Sequence, residues 1–185
     1  MDFIKAEILK VAKLSFKEGL VNAFAGNISY SYKNYMYITK RGSFFGDLTE
    51  KDIIKIDLKK DKISEKASSE ASVHKAIYLN TGKKAILHTH PKYTVLASFL
   101  YDKIVPIDSE GKLIFGQAKV LDVDPPSASK ALEEALSFAL KEYNIAIVKT
   151  HGVFAASRNL MEAYAYTGAL EHSCFMLLKA KNMIK

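Results

Sequence analysis

The amino-acid sequence predicts an α/β domain in which helices pack on a mixed sheet. Three observations carry this expectation. Ile4, Ile8, Val11 and Leu14 recur at helical spacing across residues 3–19, with Leu9 and Phe16 flanking them. Ile28-Ser29-Tyr30-Ser31-Tyr32 alternates with the period of a half-buried strand. Further short apolar runs, such as 85–90 and 146–148, lie among longer helical stretches in irregular order. Irregular alternation favours helices on a mixed sheet over a strict strand–helix repeat. A chain of 185 residues has room for one real core, and no repeat, linker or low-complexity tract divides it.

The elements follow in order. Gly19 suits the C-cap of the first helix. Phe24-Ala25-Gly26-Asn27 leads into the strand at 28–32, and Lys33-Asn34 turns the chain into a second strand, Tyr35 to Thr39. Residues 40–47, with Gly42 and Gly46, form a loop; Ile53 to Leu58 is another strand, and Lys59 to Asp61 a polar turn. Ser68 or Ser69 N-caps a helix running to about Leu79, which places Glu70 in its first turn. The strand at 85–90 follows, and Pro91 fits the first turn of a helix reaching about Tyr101. Residues 104–123 read as short extended pieces punctuated by Gly111 and Gly116. Pro125-Pro126-Ser127 precedes a helix over about 128–142. Ala146-Ile147-Val148 is a short buried strand ending near Thr150-His151-Gly152, and the last helix, about 159–181, is apolar over much of its surface.

Composition narrows the function. The net charge of +7 comes almost entirely from scattered Lys, with Arg41 and Arg158 the exceptions. No stretch interleaves Arg with exposed aromatics, so no nucleic-acid partner is expected. A positive field does suit phosphorylated metabolites. No run of about 18 apolar residues exists, so no membrane span is expected, and the N-terminal sequence lacks the order of a signal peptide. Cys174 is the lone cysteine and cannot form an internal disulfide, which fits a reducing cytoplasm.

The residues that bear chemistry begin with His88-Thr89-His90. On a strand both imidazoles point to one side, a poor way to fill a core and a good way to hold Zn²⁺. Taken alone, the pair fits a satisfied surface pair equally well. His151 stands at the end of an apolar strand before Gly152. Glu70 alone is an ordinary acid favoured by a helix dipole. His74, one helical turn after Glu70, reads better as an amphipathic position than as a partner of the site, and His172 as core or interface packing.

Taken together, Gly26-Asn27-Ile28-Ser29, Thr39 to Gly42, Ser68-Ser69-Glu70, His88-Thr89-His90 and His151-Gly152 resemble the class II aldolase/adducin family in order and spacing. The resemblance covers roughly residues 5–180. It implies a single domain over 1–185, a three-layer α/β/α fold with a central mixed, mainly antiparallel sheet, and a homotetramer. It implies that His88, His90 and His151 bind Zn²⁺, or another divalent transition metal, with an open position for substrate. It implies that Glu70 is the acid/base carboxylate, and that Gly26, Asn27, Gly42, Ser68 and Ser69 line a phosphate pocket. The implied reaction is cleavage of a ketose 1-phosphate to dihydroxyacetone phosphate and an aldehyde. Glu at position 70 favours cleavage over the epimerases, which tend to carry Asp there. A dehydratase of the same fold and a non-catalytic adducin-like module are the other readings.

Two departures concern the substrate. A phosphate-contacting threonine of the family is Phe24 here, and another is Arg41, whose guanidinium can supply a bidentate phosphate contact instead. After Pro106 the family's aldolases carry a tyrosine that serves a neighbouring subunit's site as the acid at the aldehyde oxygen. This chain reads Ile107-Asp108-Ser109-Glu110-Gly111, where Asp108 or Glu110 can substitute or simply form a turn.

Overall fold

The computed structural model describes residues 2–183. The elements run α1 (Asp2–Lys17), β1 (Asn27–Tyr32), β2 (Tyr35–Thr39), β3 (Ile53–Asp57), α2 (Ala71–Thr81), β4 (Ala85–Thr89), α3 (Lys92–Ala97), β5 (Lys103–Ile104), α4 (Ser109–Ile114), β6 (Ala118–Leu121), α5 (Lys130–Glu142), β7 (Ile145–Val148), β8 (Gly152–Ser157) and α6 (Leu160–Met183). The strands form one eight-stranded sheet in the order β3-β2-β1-β4-β8-β7-β6-β5. Neighbours pair antiparallel, except for the parallel pair β6 and β7. The sheet is therefore mixed and mainly antiparallel.

Alternation along the strands builds two cores. Ala85 and Leu87 of β4, with Val153 and Ala155 of β8, pack with Ile4, Ile8 and Val11 of α1 and with Leu160 and Leu170 of α6. Ile86, Phe154 and Ala156 face the opposite way, with Val73 and Ile77 of α2 and Leu132 and Leu136 of α5. The layers are thus α1, α3, α4 and α6 on one side of the sheet and α2 with α5 on the other. Burying one such Leu or Ile is worth about 2 kcal/mol. A one-residue slip of β4 would exchange its two sets of side chains, so its register is strongly set. That register decides where His88 points.

The structure differs from the sequence expectations at four places. β8 follows β7 after a three-residue turn, so His151 lies in the turn rather than on the strand. Residues 109–114 are helical instead of extended: Asp108 caps α4 by accepting from the Gly111 N–H at 2.7 Å. Glu70 occupies the N-cap position of α2, and neither serine caps the helix by its side chain. Ser68 Oγ instead accepts from the Glu70 N–H at 3.3 Å. α3 ends at Ala97, short of Tyr101. His172 is exposed, so of the two packing roles expected, core and interface, it does not take the core one. Among the described residues no helix is long and apolar enough to cross a membrane.

Candidate active site

The site forms where the central strands end beside the start of α2. β1 and β4 pair with Asn27 opposite His88, and β4 and β8 pair with His88 opposite Phe154. His88 shares the face of Ile86, and its ring stacks on Phe154 at 4.0 Å. His90 lies just past the strand end, anchored by its N–H to the Leu20 carbonyl at 3.0 Å. His151 comes from the β7–β8 turn, with its ring 4.8 Å from those of both His88 and His90. The turn is tight: the His151 N–H reaches the Val148 carbonyl, and Thr150 has φ +66°. Gly152 is required by contact. A Cβ there would lie 2.3 Å from the Thr89 carbonyl oxygen, 3.0 Å from His90 Cδ2 and 3.1 Å from His88 Cε1.

The donor set suits a divalent metal. One nitrogen from each of His88, His90 and His151 lies within 4.8 Å of the others. His88 Nδ1 is 2.9 Å from the Val153 carbonyl, and His151 Nδ1 is 2.7 Å from the Pro126 carbonyl. A carbonyl can only accept, so both Nδ1 atoms carry the proton and both Nε2 atoms present a lone pair to the centre. His90 Nε2 lies 2.9 Å from His88 Nε2. The two either share a proton or, with both nitrogens bare, hold one cation between them. Burial holds the pKa of His88 well below its ordinary value, helped by His151. Burial, then His88 and His151, bring His90 down to about 3. These rings are neutral at neutral pH, the form that binds metal. Three converging neutral imidazoles are a donor set that suits a divalent transition-metal ion.

Glu70 closes one side of the triad. It is 3% exposed. Its Oε2 accepts from Asn27 Nδ2 at 2.9 Å and lies 3.2 Å from His88 Nε2. Its Oε1 accepts from the Ser127 hydroxyl at 3.3 Å and lies 3.8 Å from His151 Nε2. A carboxylate facing a bare imidazole nitrogen calls for a proton or a metal ion between them, which again favours a cation at this place. His74 packs on the inward face of α2. It is fully buried beneath the site, with Nδ1 2.7 Å from Ser29 Oγ, which lies 2.7 Å from the Tyr78 hydroxyl.

A cleft of about 150 Å³ opens over this centre. Gly26 and Asn27, Arg41 and Gly42, and Ser68 and Ser69 all line it, so the structure brings every residue expected at the site to one place. Gly26, at φ +84°, lets the loop pass under the His88 carbonyl, which a Cβ would meet at 2.8 Å. Lys40, Ser43 and Ser127 also line the cleft. Lys40 falls within the Thr39 to Gly42 string, whereas no motif in the sequence marks Ser43 or Ser127. The Lys40 ammonium is paired with Asp52. Phe24 stands 70% exposed at the rim, against Phe44. Asp108 and Glu110 lie outside this cleft. Asp108 is engaged in capping α4, and the Ser173 hydroxyl, ahead of the Gly111 N–H, holds its carboxyl below the usual range.

Comparison with known proteins identifies the family. An L-fuculose phosphate aldolase of Methanococcus maripaludis (strain C7) is 32% identical over 92% of this chain and 93% of its own length. One of Methanocaldococcus jannaschii is 29% identical over 94% of this chain and 95% of its own. The crystal structure of L-fuculose-1-phosphate aldolase from Thermus thermophilus superposes with a TM-score of 0.95 at 32% identity, covering 99% of this chain and 96% of that one. The family model described as Class II Aldolase and Adducin N-terminal domain matches residues 6–178. With these matches spanning nearly its whole length, the chain belongs to the class II aldolase/adducin family.

Proposed function

We propose that this protein, read as a single domain over 1–185, is a metal-dependent aldolase. It cleaves a ketose 1-phosphate such as L-fuculose 1-phosphate to dihydroxyacetone phosphate and an aldehyde. The observation that carries this reading is the buried Glu70 carboxylate, oriented by Asn27 against three converging imidazoles. His88, His90 and His151 would hold Zn²⁺ or a similar divalent ion, which when bound supplies Lewis-acid polarisation of the substrate carbonyl. Glu70 holds or moves the proton at the carbon next to that carbonyl. Asn27 fixes which carboxylate oxygen does so, and the walls of β4, β8 and Phe154 exclude water from the far side. Arg41, the Ser68 and Ser69 hydroxyls and the backbone at Gly26 and Gly42 line the anion end, where the N-terminus of α2 adds favourable potential for phosphate.

Association of subunits belongs to the same proposal. Leu96, Phe99, Leu100, Val105, Ile107 and Leu113 are all more than 45% exposed, an apolar surface suited to a homotetramer. The free thiol of Cys174, buried and pushed up to about 12, fits a reducing cytoplasm and has no part in the chemistry.

The deciding test is a panel of sugar 1-phosphates incubated with metal-reconstituted protein, with products identified by mass. Dihydroxyacetone phosphate is the expected product, and a substrate that keeps its carbon skeleton contradicts the proposal. Glu70→Gln should lower turnover by about 10²-fold or more, as loss of a general acid/base does, and should retain about one metal per chain by the three-ligand stoichiometry. Equal activity in that variant removes Glu70 from its role.

A further inference from the structure

Cleavage between C3 and C4 of a ketose 1-phosphate moves two protons. The C4 hydroxyl must lose one as it becomes the aldehyde, and C3 must gain one. Glu70 is the carboxylate at hand, but it is 3% exposed and its Oε2 is committed to Asn27 and the His88 side. Its other oxygen, Oε1, accepts from the hydroxyl of Ser127, an exposed residue that lines the cleft. Ser127 therefore connects the buried carboxylate to the space where substrate sits. The other cleft groups are poorly suited to the task. Arg41 does not give up a proton, Lys40 is tied to Asp52, the Ser43 hydroxyl donates to the Lys40 carbonyl, and the carboxylate oxygens of Glu70 are bonded by Asn27 and Ser127, not by the hydroxyls of Ser68 or Ser69.

The segment carrying Ser127 is held on both sides. The Pro126 carbonyl accepts from His151 Nδ1 at 2.7 Å. Ser129 Oγ donates to the Pro125 carbonyl at 2.8 Å and accepts from the Leu132 N–H at 3.1 Å, capping α5. One loop thus fixes a histidine of the triad and a hydroxyl on the acid/base carboxylate.

We propose that Ser127 is a catalytic residue that relays the proton between the aldehyde-forming oxygen and Glu70. The inference rests on the aldolase reading above. In cleavage the C4 hydroxyl proton passes to Ser127 Oγ while the proton already on Oγ passes to Glu70 Oε1. The C3–C4 bond breaks; the O–H pair left on O4 closes the aldehyde carbonyl, and the C3–C4 pair stays with the three-carbon fragment as its enediolate. Glu70 then gives its proton to C3, forming dihydroxyacetone phosphate and restoring the carboxylate. One proton has moved from O4 to C3, and no outside acid or base is needed.

The test separates two reactions of the metal-loaded protein. Exchange of the C3 hydrogens of dihydroxyacetone phosphate with deuterated water, followed by NMR, needs Glu70 but no aldehyde oxygen. Cleavage of the full substrate needs both. Ser127→Ala should cleave about 10²-fold more slowly, as for loss of a proton-transfer group, and lose about 10-fold less in exchange than in cleavage. Its metal content should equal that of wild type, and Ser127→Thr should recover most of the cleavage. Equal loss of exchange and cleavage would show that Ser127 only supports Glu70, and unchanged cleavage would show no role; either overturns the relay alone. Wild-type protein that catalyses neither reaction overturns the aldolase reading and the relay with it.

Discussion

Arg41 and Gly152 show how single residues tune the two halves of the site. Arg41 is exposed and lines the cleft, in a loop whose backbone is tied through the Arg41 N–H to the Lys66 carbonyl at 2.9 Å. Its guanidinium offers two parallel donors to a phosphate. Arg41→Ala should raise KM for a phosphorylated substrate several-fold with kcat little changed, the signature of lost uniform binding. Unchanged steady-state constants would remove Arg41 from the site. Gly152 acts on the metal half. A methyl group there would sit 2.3 Å from the Thr89 carbonyl oxygen and press on both imidazoles of the His88–His90 pair. Backbone must give way, so Gly152→Ala should weaken metal affinity by about 10- to 100-fold, comparable with loss of a residue that orients ligands. Titration of apo protein with a zinc-competing chelator measures it, and wild-type affinity would show that the turn tolerates the shift. The His-x-His pair and the His-Gly dipeptide are legible in sequence because ligand chemistry restricts them to few residue types. Ser127 is not legible. A serine before a helix looks like any other capping segment, and only the fold brings it to Glu70.

At the scale of elements, α4 accounts for a residue whose role was open in the sequence. Asp108 accepts from the Gly111 N–H and so serves the helix, not this chain's own cleft. Asp108→Ala should cost about 1 kcal/mol, the usual worth of an N-cap, and denaturant unfolding at neutral pH would detect it. An unchanged midpoint would mean that solvent replaces the cap at no cost. α4 escapes a sequence reading because Gly111 looks like a breaker. Its glycine is there for contact: a Cβ would lie 2.2 Å from Ser173 Oγ and 2.6 Å from Pro106 Cβ. β8 escapes for a different reason. Gly152 to Ser157 is buried on both faces, so its residues show no polar alternation to reveal a strand. By contrast α1, β1, β2, β3 and α5 follow periodicity and turn chemistry closely. α1, β3 and α5 keep a face toward water, and the contrast between faces is written in their residues; β1 and β2 are largely buried and are legible instead from the Ser–Tyr alternation and the Lys33-Asn34 turn.

For the molecule as a whole, burial of neutral imidazoles predicts sensitivity to acid. Burial lowers His74 to about 4, and His90 lies at about 3. In the unfolded chain both titrate near 6.5. Between these values the unfolded state binds more protons than the folded one. The contribution is therefore complete above pH 6.5 and is lost as pH falls toward 3. Metal-free protein should unfold at a lower urea midpoint at pH 5 than at pH 7.5, and an equal or higher midpoint at pH 5 would contradict this. Bound metal should stabilise the protein further at pH 7.5, by about 4 kcal/mol at a thousandfold excess over Kd.

The β7–β8 turn has one more consequence, for the order in which the protein matures. During synthesis His88 and His90 emerge more than sixty residues before His151, and β4 can pair with β8 only after the later segment has been made. A nascent chain can thus offer two ligands to a metal but not the third. Secure loading becomes a late event, coupled to docking of the final hairpin, and a chain stalled before residue 151 would release its metal to the cell's buffers.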